Sequence, residues 1–283
     1  DFRASLFDIS QCGHLNPLFP PQQYSLSYAL STKLLLERKT EVEVKKVSDT
    51  FSFLIYNICM GRALRVDIGN EIFHVINRAN SRAAIFKTDS DYKAFETLLE
   101  EAKEKISMRI LAYEIMPNHW HLLLYPIDEG DLSSFMQWLT LTHTQRWHAY
   151  HNTVGNGHLY QGRYKSFLIQ KDNYFLAATR YIERNALRAG IVKNAQDWKW
   201  SSLWRREFGT NKQKGLLSPW PVEMPNDYIE WINKPQNEEE IVSIKESITR
   251  SKPFGNTEWV EKIVNKFGLE TTQRPKGRPR KGV

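Results

Sequence analysis

From residue 71 to residue 190 the hydrophobic positions keep a regular period. EIFHVIN (71–77) is rich in β-branched and aromatic residues and predicts a strand. SDYKAFETLLEEAKEKI (90–106) sets Tyr92, Phe95, Leu98, Leu99 and Ala102 at helical spacing and predicts an amphipathic helix. MRILAYEIM (108–116) and HWHLLLYP (119–126) predict two more strands, joined tightly through Pro117 and Asn118. DLSSFMQWLTLTHTQRWHAYH (131–151) predicts a helix with Asp131 as its N-cap and Leu132, Phe135, Met136 and Leu139 on one face. After the loop NTVGNGH, RYKSFLI (163–169) predicts a fourth strand, and NYFLAATRYIERNALRAG (173–190) a helix closed by Gly190.

In this order, β-α-β-β-α-β with a further helix, the elements match the ferredoxin-like, split βαβ plan. The expected class is α+β: a four-stranded antiparallel sheet with two helices on one face. The other face is left for a ligand or for the last helix. Residues 1–59 have little period and are expected to be an extension preceding a main domain at 60–208. Residues 209–226 read as a linker. A small helical region is expected at 227–269, from segments such as NEEEIVSIKESITRS and TEWVEKIVNKFG, followed by a low-complexity basic tail at 270–283.

Composition narrows the partners. The chain is 41% hydrophobic and 25% charged, enough to bury a core. Its net charge of +7 favours a polyanionic partner, nucleic acid before an anionic membrane. Cys12 and Cys59 form no CxxC pair, which argues against a thiolate zinc site and a disulfide framework. So few cysteines fit a reducing cytoplasm. The apolar run FSFLIYNIC (51–59) falls far short of the roughly 20 residues of a membrane helix, so no membrane partner is expected.

The candidate chemistry begins with His119 and His121. Alternate residues of a strand share a face, so both imidazoles point the same way, about 7 Å apart, while Trp120, Leu122 and Leu124 point into the core. Such a pair can converge on one cation or one phosphate; it is equally compatible with two half-buried histidines of no special role. On the last helix, Tyr174, Tyr181, Asn185 and Arg188 share a stripe, and Phe175, Thr179, Ile182 and Ala186 share another that can pack on the sheet. A tyrosine beside an amide, with Arg184 and Arg188 alongside, suits a nucleophile next to a metal ligand and phosphate-binding cations. An amphipathic helix with a tyrosine at the core margin is the plain alternative.

Several motifs in order, MPNHWHLLLYP, GRYKSFLI, RYIERNALRAGIV, SKPFGNTEWVEKIVNKFGLE and RPKGRPRKG, resemble those of the REP-associated tyrosine transposases. These are relatives of the single-tyrosine insertion-sequence transposases in the HUH nuclease superfamily. The resemblance runs from about Gly69 to the C-terminus and leaves residues 1–59 outside it. It implies His119 and His121 as the metal-binding pair, Tyr181 as the nucleophile and Asn185 as a third protein ligand. It implies Mg²⁺ or Mn²⁺, although imidazoles by themselves would also suit Zn²⁺. The family usually reads NPVRAG where this chain reads NALRAG; Ala186, in place of proline, is compatible with a helix.

By this resemblance, Tyr181 attacks single-stranded DNA beside a REP-like hairpin, leaving a 5′-phosphotyrosine bond and a free 3′-hydroxyl. The covalent link keeps the phosphodiester energy, so rejoining needs no ATP, and the chain carries no P-loop motif. Arg163, Lys165, Arg184 and Arg188 are candidate phosphate contacts. Tyr160 and Tyr164 are candidate stacking platforms for unpaired bases. Arg278 and Arg280 lie in RPKGRPRK, which resembles an AT-hook for a narrow A·T minor groove; a solvated basic tail is the alternative. For the whole chain the alternatives are a domesticated DNA-hairpin-binding protein that does not cut, and a metal-dependent hydrolase that uses water. The expected setting is the bacterial cytoplasm, at the nucleoid, as a monomer or homodimer.

Overall fold

The structure, a computed structural model, describes residues 65–274. The expected extension at 1–59 and the basic tail from 275 onward lie outside the described residues. Strands β1 (Ile72–Arg78), β2 (Met108–Met116), β3 (His119–Pro126) and β4 (Lys165–Ile169) pair antiparallel in the order β2-β3-β1-β4. With the helices described below, this is the α+β, ferredoxin-like arrangement that the hydrophobic period predicts.

Helices α1 (Asp89–Lys105) and α2 (Asp131–Tyr150) cover one face of the sheet. Helix α1 starts at a capping box, in which the Thr88 hydroxyl accepts the Asp91 N–H and the Asp91 carboxylate accepts the Thr88 N–H. The expected cap at Asp131 is shifted by one residue: Gly130, in the left-handed region at φ 87°, takes the cap position. Asp131 is the first helical residue, and its carboxylate accepts the Asp128 N–H. Phe95, Leu98 and Leu99 of α1 and Phe135, Met136 and Leu139 of α2 pack on Phe73, Val75, Trp120, Leu122 and Leu124. Trp120 is fully buried, and its indole N–H donates to the Tyr160 hydroxyl at 3.0 Å. That hydroxyl donates in turn to His143 Nδ1 at 2.6 Å, so each polar atom in the chain of contacts is used.

The opposite face packs on α3 (Asn173–Glu183), with Phe175, Ala178 and Ile182 against Ile72, Leu111, Leu123 and Phe167. The single helix expected over 173–190 is in fact two. Arg184, at φ −102° and ψ 2°, separates α3 from α4 (Asn185–Arg188). The cause lies on β2. The buried Glu114 carboxylate accepts the Ala186 N–H at 2.6 Å and also engages the Asn185 N–H, taking donors that a continuous helix would give to carbonyls one turn back. Gly190, at φ 69°, then ends the segment.

The stretch expected as a linker, 209–226, lies against the edge of β2. The Ser218 N–H donates to the Ile110 carbonyl and the Trp220 indole to the Leu111 carbonyl. Trp198, before it, donates to the Ile115 carbonyl. The other edge is covered as well: Phe254 exchanges backbone hydrogen bonds with Leu168 and Gln170 beside β4. Both sheet edges are thus protected from stray pairing. Between these covers run the short helices α5 (Ser202–Phe208), α6 (Asn211–Lys214), α7 (Tyr228–Asn233) and α8 (Glu238–Arg250), and α9 (Thr257–Phe267) follows. Ile244 of α8 and Phe254 belong to the same apolar cluster as α3, so part of the C-terminal helical region is built onto the sheet.

Candidate active site

Strand β3 carries His119 and His121 on the face that α3 covers, with ring centroids 5.2 Å apart. Each uses Nδ1 internally. His119 Nδ1 meets Asn118 Oδ1 at 2.7 Å. His121 Nδ1 meets His74 Nε2 at 2.7 Å, in a bond buried from solvent. Pairing sets this geometry: His121 lies opposite Ile76 on β1 and opposite Glu114 on β2, so His74, two residues from Ile76, shares its face. Burial, aided by the Arg78 and Arg188 guanidiniums, lowers the His119 pKa to about 4 and pushes His121 well below its ordinary value. Both rings are therefore neutral near pH 7.

Tyr181 of α3 faces this pair, its ring edge-on to His121 at 6.2 Å. Tyr174, two turns earlier, instead packs edge-on against Phe254 at 5.0 Å, away from the histidines. The Arg188 guanidinium lies 4.1 Å over the Tyr181 ring, donates to the Tyr181 carbonyl at 3.3 Å, and also donates to Asn185 Oδ1. Burial raises the Tyr181 pKa, while the Arg188 and Arg78 charges oppose that shift. Arg78 lies opposite His119 on the paired strand and so shares its face. Among the described residues neither Arg78 nor Arg188 has a carboxylate partner. The patch thus combines a phenol, neutral imidazoles and two guanidiniums that make no direct ion pair with a carboxylate, an arrangement that suits a phosphate.

Among the described residues no three His, Cys, Asp or Glu side chains cluster to hold a metal. A cation here would rest on two imidazoles and an amide. These donors fit one chemically: both Nδ1 atoms are engaged, so each Nε2 is left to ligate, and the rings are neutral, as ligation requires. Asn185 Oδ1 keeps a second lone pair beside its bond from Arg188, and the buried Asn185 Nδ2 has no partner.

The remaining expected residues divide. Arg163 and Lys165 are exposed at the start of β4. Arg184 is corrected: its guanidinium donates to the Ile232 and Lys234 carbonyls at the end of α7, where the helix leaves acceptors unsatisfied. Tyr160 and Tyr164 are also corrected as stacking platforms. The former is buried against Trp120 and His143; the latter is 7% exposed with Arg65 lying 4.0 Å over its ring. Arg278 and Arg280 lie outside the described residues. The residues that sequence reasoning passed over are His74, Arg78, Glu114 and Asn118. The available signal was a histidine and a glutamate inside the otherwise apolar strands EIFHVIN and MRILAYEIM.

The family model described as Transposase IS200 like matches residues 68–185, a span that contains every element of this patch except Arg188. A REP-associated tyrosine transposase of Escherichia coli (strain K12) is 25% identical over 137 residues, covering 48% of this chain and 78% of the relative. A solved structure of a REP-associated tyrosine transposase bound to a REP hairpin aligns with a TM-score of 0.43 at 20% identity, over 58% of this chain and 92% of that one. Among the described residues no helix is long and apolar enough to cross a membrane.

Proposed function

We propose that the transposase domain cuts and rejoins single-stranded DNA beside a hairpin, with Tyr181 as the nucleophile. The observation that carries this reading is the placement of Tyr181: its ring faces His121 and lies under a guanidinium that has no carboxylate partner. Similarity to a REP-associated relative points to REP-like hairpins as the substrate class. In the reaction the Tyr181 oxygen forms a bond to phosphorus, and the bond from phosphorus to the 3′-oxygen breaks. The phenolic proton leaves, and the 3′-oxygen departs as a hydroxyl, so a 5′-phosphotyrosine link remains and the reversal needs no added energy source. Arg188 and Arg78 oppose the effect of burial on the phenol and offer donors to the non-bridging phosphate oxygens. His119, His121 and Asn185 would hold a divalent cation, Mg²⁺ or Mn²⁺, which would supply charge to stabilise the attacked phosphate. Exposed Arg163 and Lys165, with Arg278 and Arg280 of the tail, would follow the DNA backbone.

The test uses a 3′-labelled DNA hairpin with a single-stranded flank, incubated with the protein and Mn²⁺ and run on a denaturing gel. The expected product is a retarded labelled band that protease treatment removes. A shortened labelled strand without an adduct would mean that water is the nucleophile. Intact DNA, bound but never cut, would support a hairpin-binding protein instead.

A further inference from the structure

We propose that His74 is a positioning residue for His121: its Nε2 holds His121 Nδ1, fixing the ring and leaving Nε2 of His121 to ligate a cation. The inference rests on the reading of His119 and His121 as a metal pair. His74 is fully buried in the middle of β1, and its ring lies between His121, at 5.0 Å, and Phe167, at 4.8 Å. Its neighbours on this face of the sheet include Ile72, Leu123 and Phe167, an apolar setting in which an imidazole must be desolvated. Of its two nitrogens, Nε2 meets His121, while Nδ1 is buried with no partner. For packing alone an apolar ring would fill the position without leaving a polar atom unsatisfied. The 2.7 Å bond to His121 is therefore what the imidazole adds here.

The bond also constrains tautomers. When His121 Nδ1 carries the hydrogen and donates to His74 Nε2, the lone pair of His121 sits on Nε2 and can ligate a cation. In the reverse arrangement His121 Nε2 carries the hydrogen and cannot ligate. Ligation selects the first state, in which the His74 hydrogen sits on Nδ1, the atom without a partner. Metal-ligating histidines are commonly oriented through a hydrogen bond from the other ring nitrogen, and losing such a partner costs about 10–100-fold in metal affinity. In this domain a second imidazole fills that role, so no buried charge is needed behind the site.

The test measures Mn²⁺ affinity, by the free-ion signal in electron paramagnetic resonance, for the full chain and its His74→Phe and His74→Gln variants. Thermal stability and hairpin-DNA affinity are measured in parallel. His74→Phe is expected to keep its melting temperature and DNA affinity but to bind Mn²⁺ about 10–100-fold more weakly. His74→Gln, whose side-chain oxygen can accept from His121, is expected to recover part of that loss. A His74→Phe protein with wild-type Mn²⁺ affinity overturns the inference. If His74→Phe does not fold, His74→Met replaces it, and equal Mn²⁺ affinities for His74→Met and His74→Gln overturn it in the same way. Wild-type protein that binds no Mn²⁺, or binds it unchanged after His119→Ala, overturns the metal reading and this inference with it. Binding lost in His119→Ala but kept in His74→Phe removes only the role of His74.

Discussion

Arg188 lies 4.1 Å over the ring of Tyr181 and, through the same guanidinium, donates to Asn185 Oδ1. One cation therefore both favours the phenolate and orients the amide proposed as a ligand. Burial raises the Tyr181 pKa, and Arg188 is first among the charges that counter it. In Arg188→Ala the burial effect is less opposed, so the alkaline rise in the cleavage rate moves to higher pH. Cleavage at neutral pH is therefore slowed, and a higher pH recovers much of the loss. Single-turnover rates across the pH range check this; an unshifted profile contradicts it.

Ala186 donates its N–H to Glu114 at 2.6 Å, a bond that a proline at this position could not make. Glu114 is fully buried, its pKa is pushed well up by desolvation, and its Oε2 has no partner. Ala186→Pro should therefore cost stability, about 1–3 kcal/mol for a buried acceptor that loses one of its two backbone donors. Urea denaturation at neutral pH measures it, and a variant as stable as wild type would show that the contact contributes little.

Acid should weaken the fold through its buried histidines. Burial lowers the pKa of both His143 and His74 from 6.5 to about 3. Between those values the unfolded chain binds protons that the folded chain does not, so stability falls as pH falls. The contribution is fully present above about 6.5 and is lost progressively toward about 3. In denaturation curves at pH 7.5 and pH 5, His143→Leu should show a smaller drop between the two conditions than wild type, while being less stable at pH 7.5 because the Tyr160 hydroxyl loses its acceptor. An equal drop would assign the acid sensitivity to other groups.

Much of the fold was legible because each element has a strong period. The alternation around Trp120 placed Trp120, Leu122 and Leu124 in the core, and the structure buries all three. Tyr181 was separable from Tyr174 by its neighbours on the helix, and the contact with His121 follows the same division. What escaped depends on pairing between distant segments. Nothing local marks His74 as the neighbour of His121, because the register of β1 on β3 makes them so. The break at Arg184 is invisible in a helical pattern, since it is imposed by Glu114 from another strand. Arg184 shows the same limit: its sequence position suggested phosphate, but the carbonyls at the end of α7, 48 and 50 residues away, take its donors.

The most direct measurement is mass spectrometry of peptides from the adduct trapped on hairpin DNA with Mn²⁺. A phosphonucleotide is expected on the peptide containing Tyr181, at that residue. Tyr181→Phe should lower cleavage by about a thousandfold or more, as removal of a nucleophile does, with single-stranded DNA binding near wild type. Tyr174→Phe should remain active. A nucleotide found on Tyr174, or a Tyr181→Phe protein that cuts at the wild-type rate, would contradict the assignment of Tyr181.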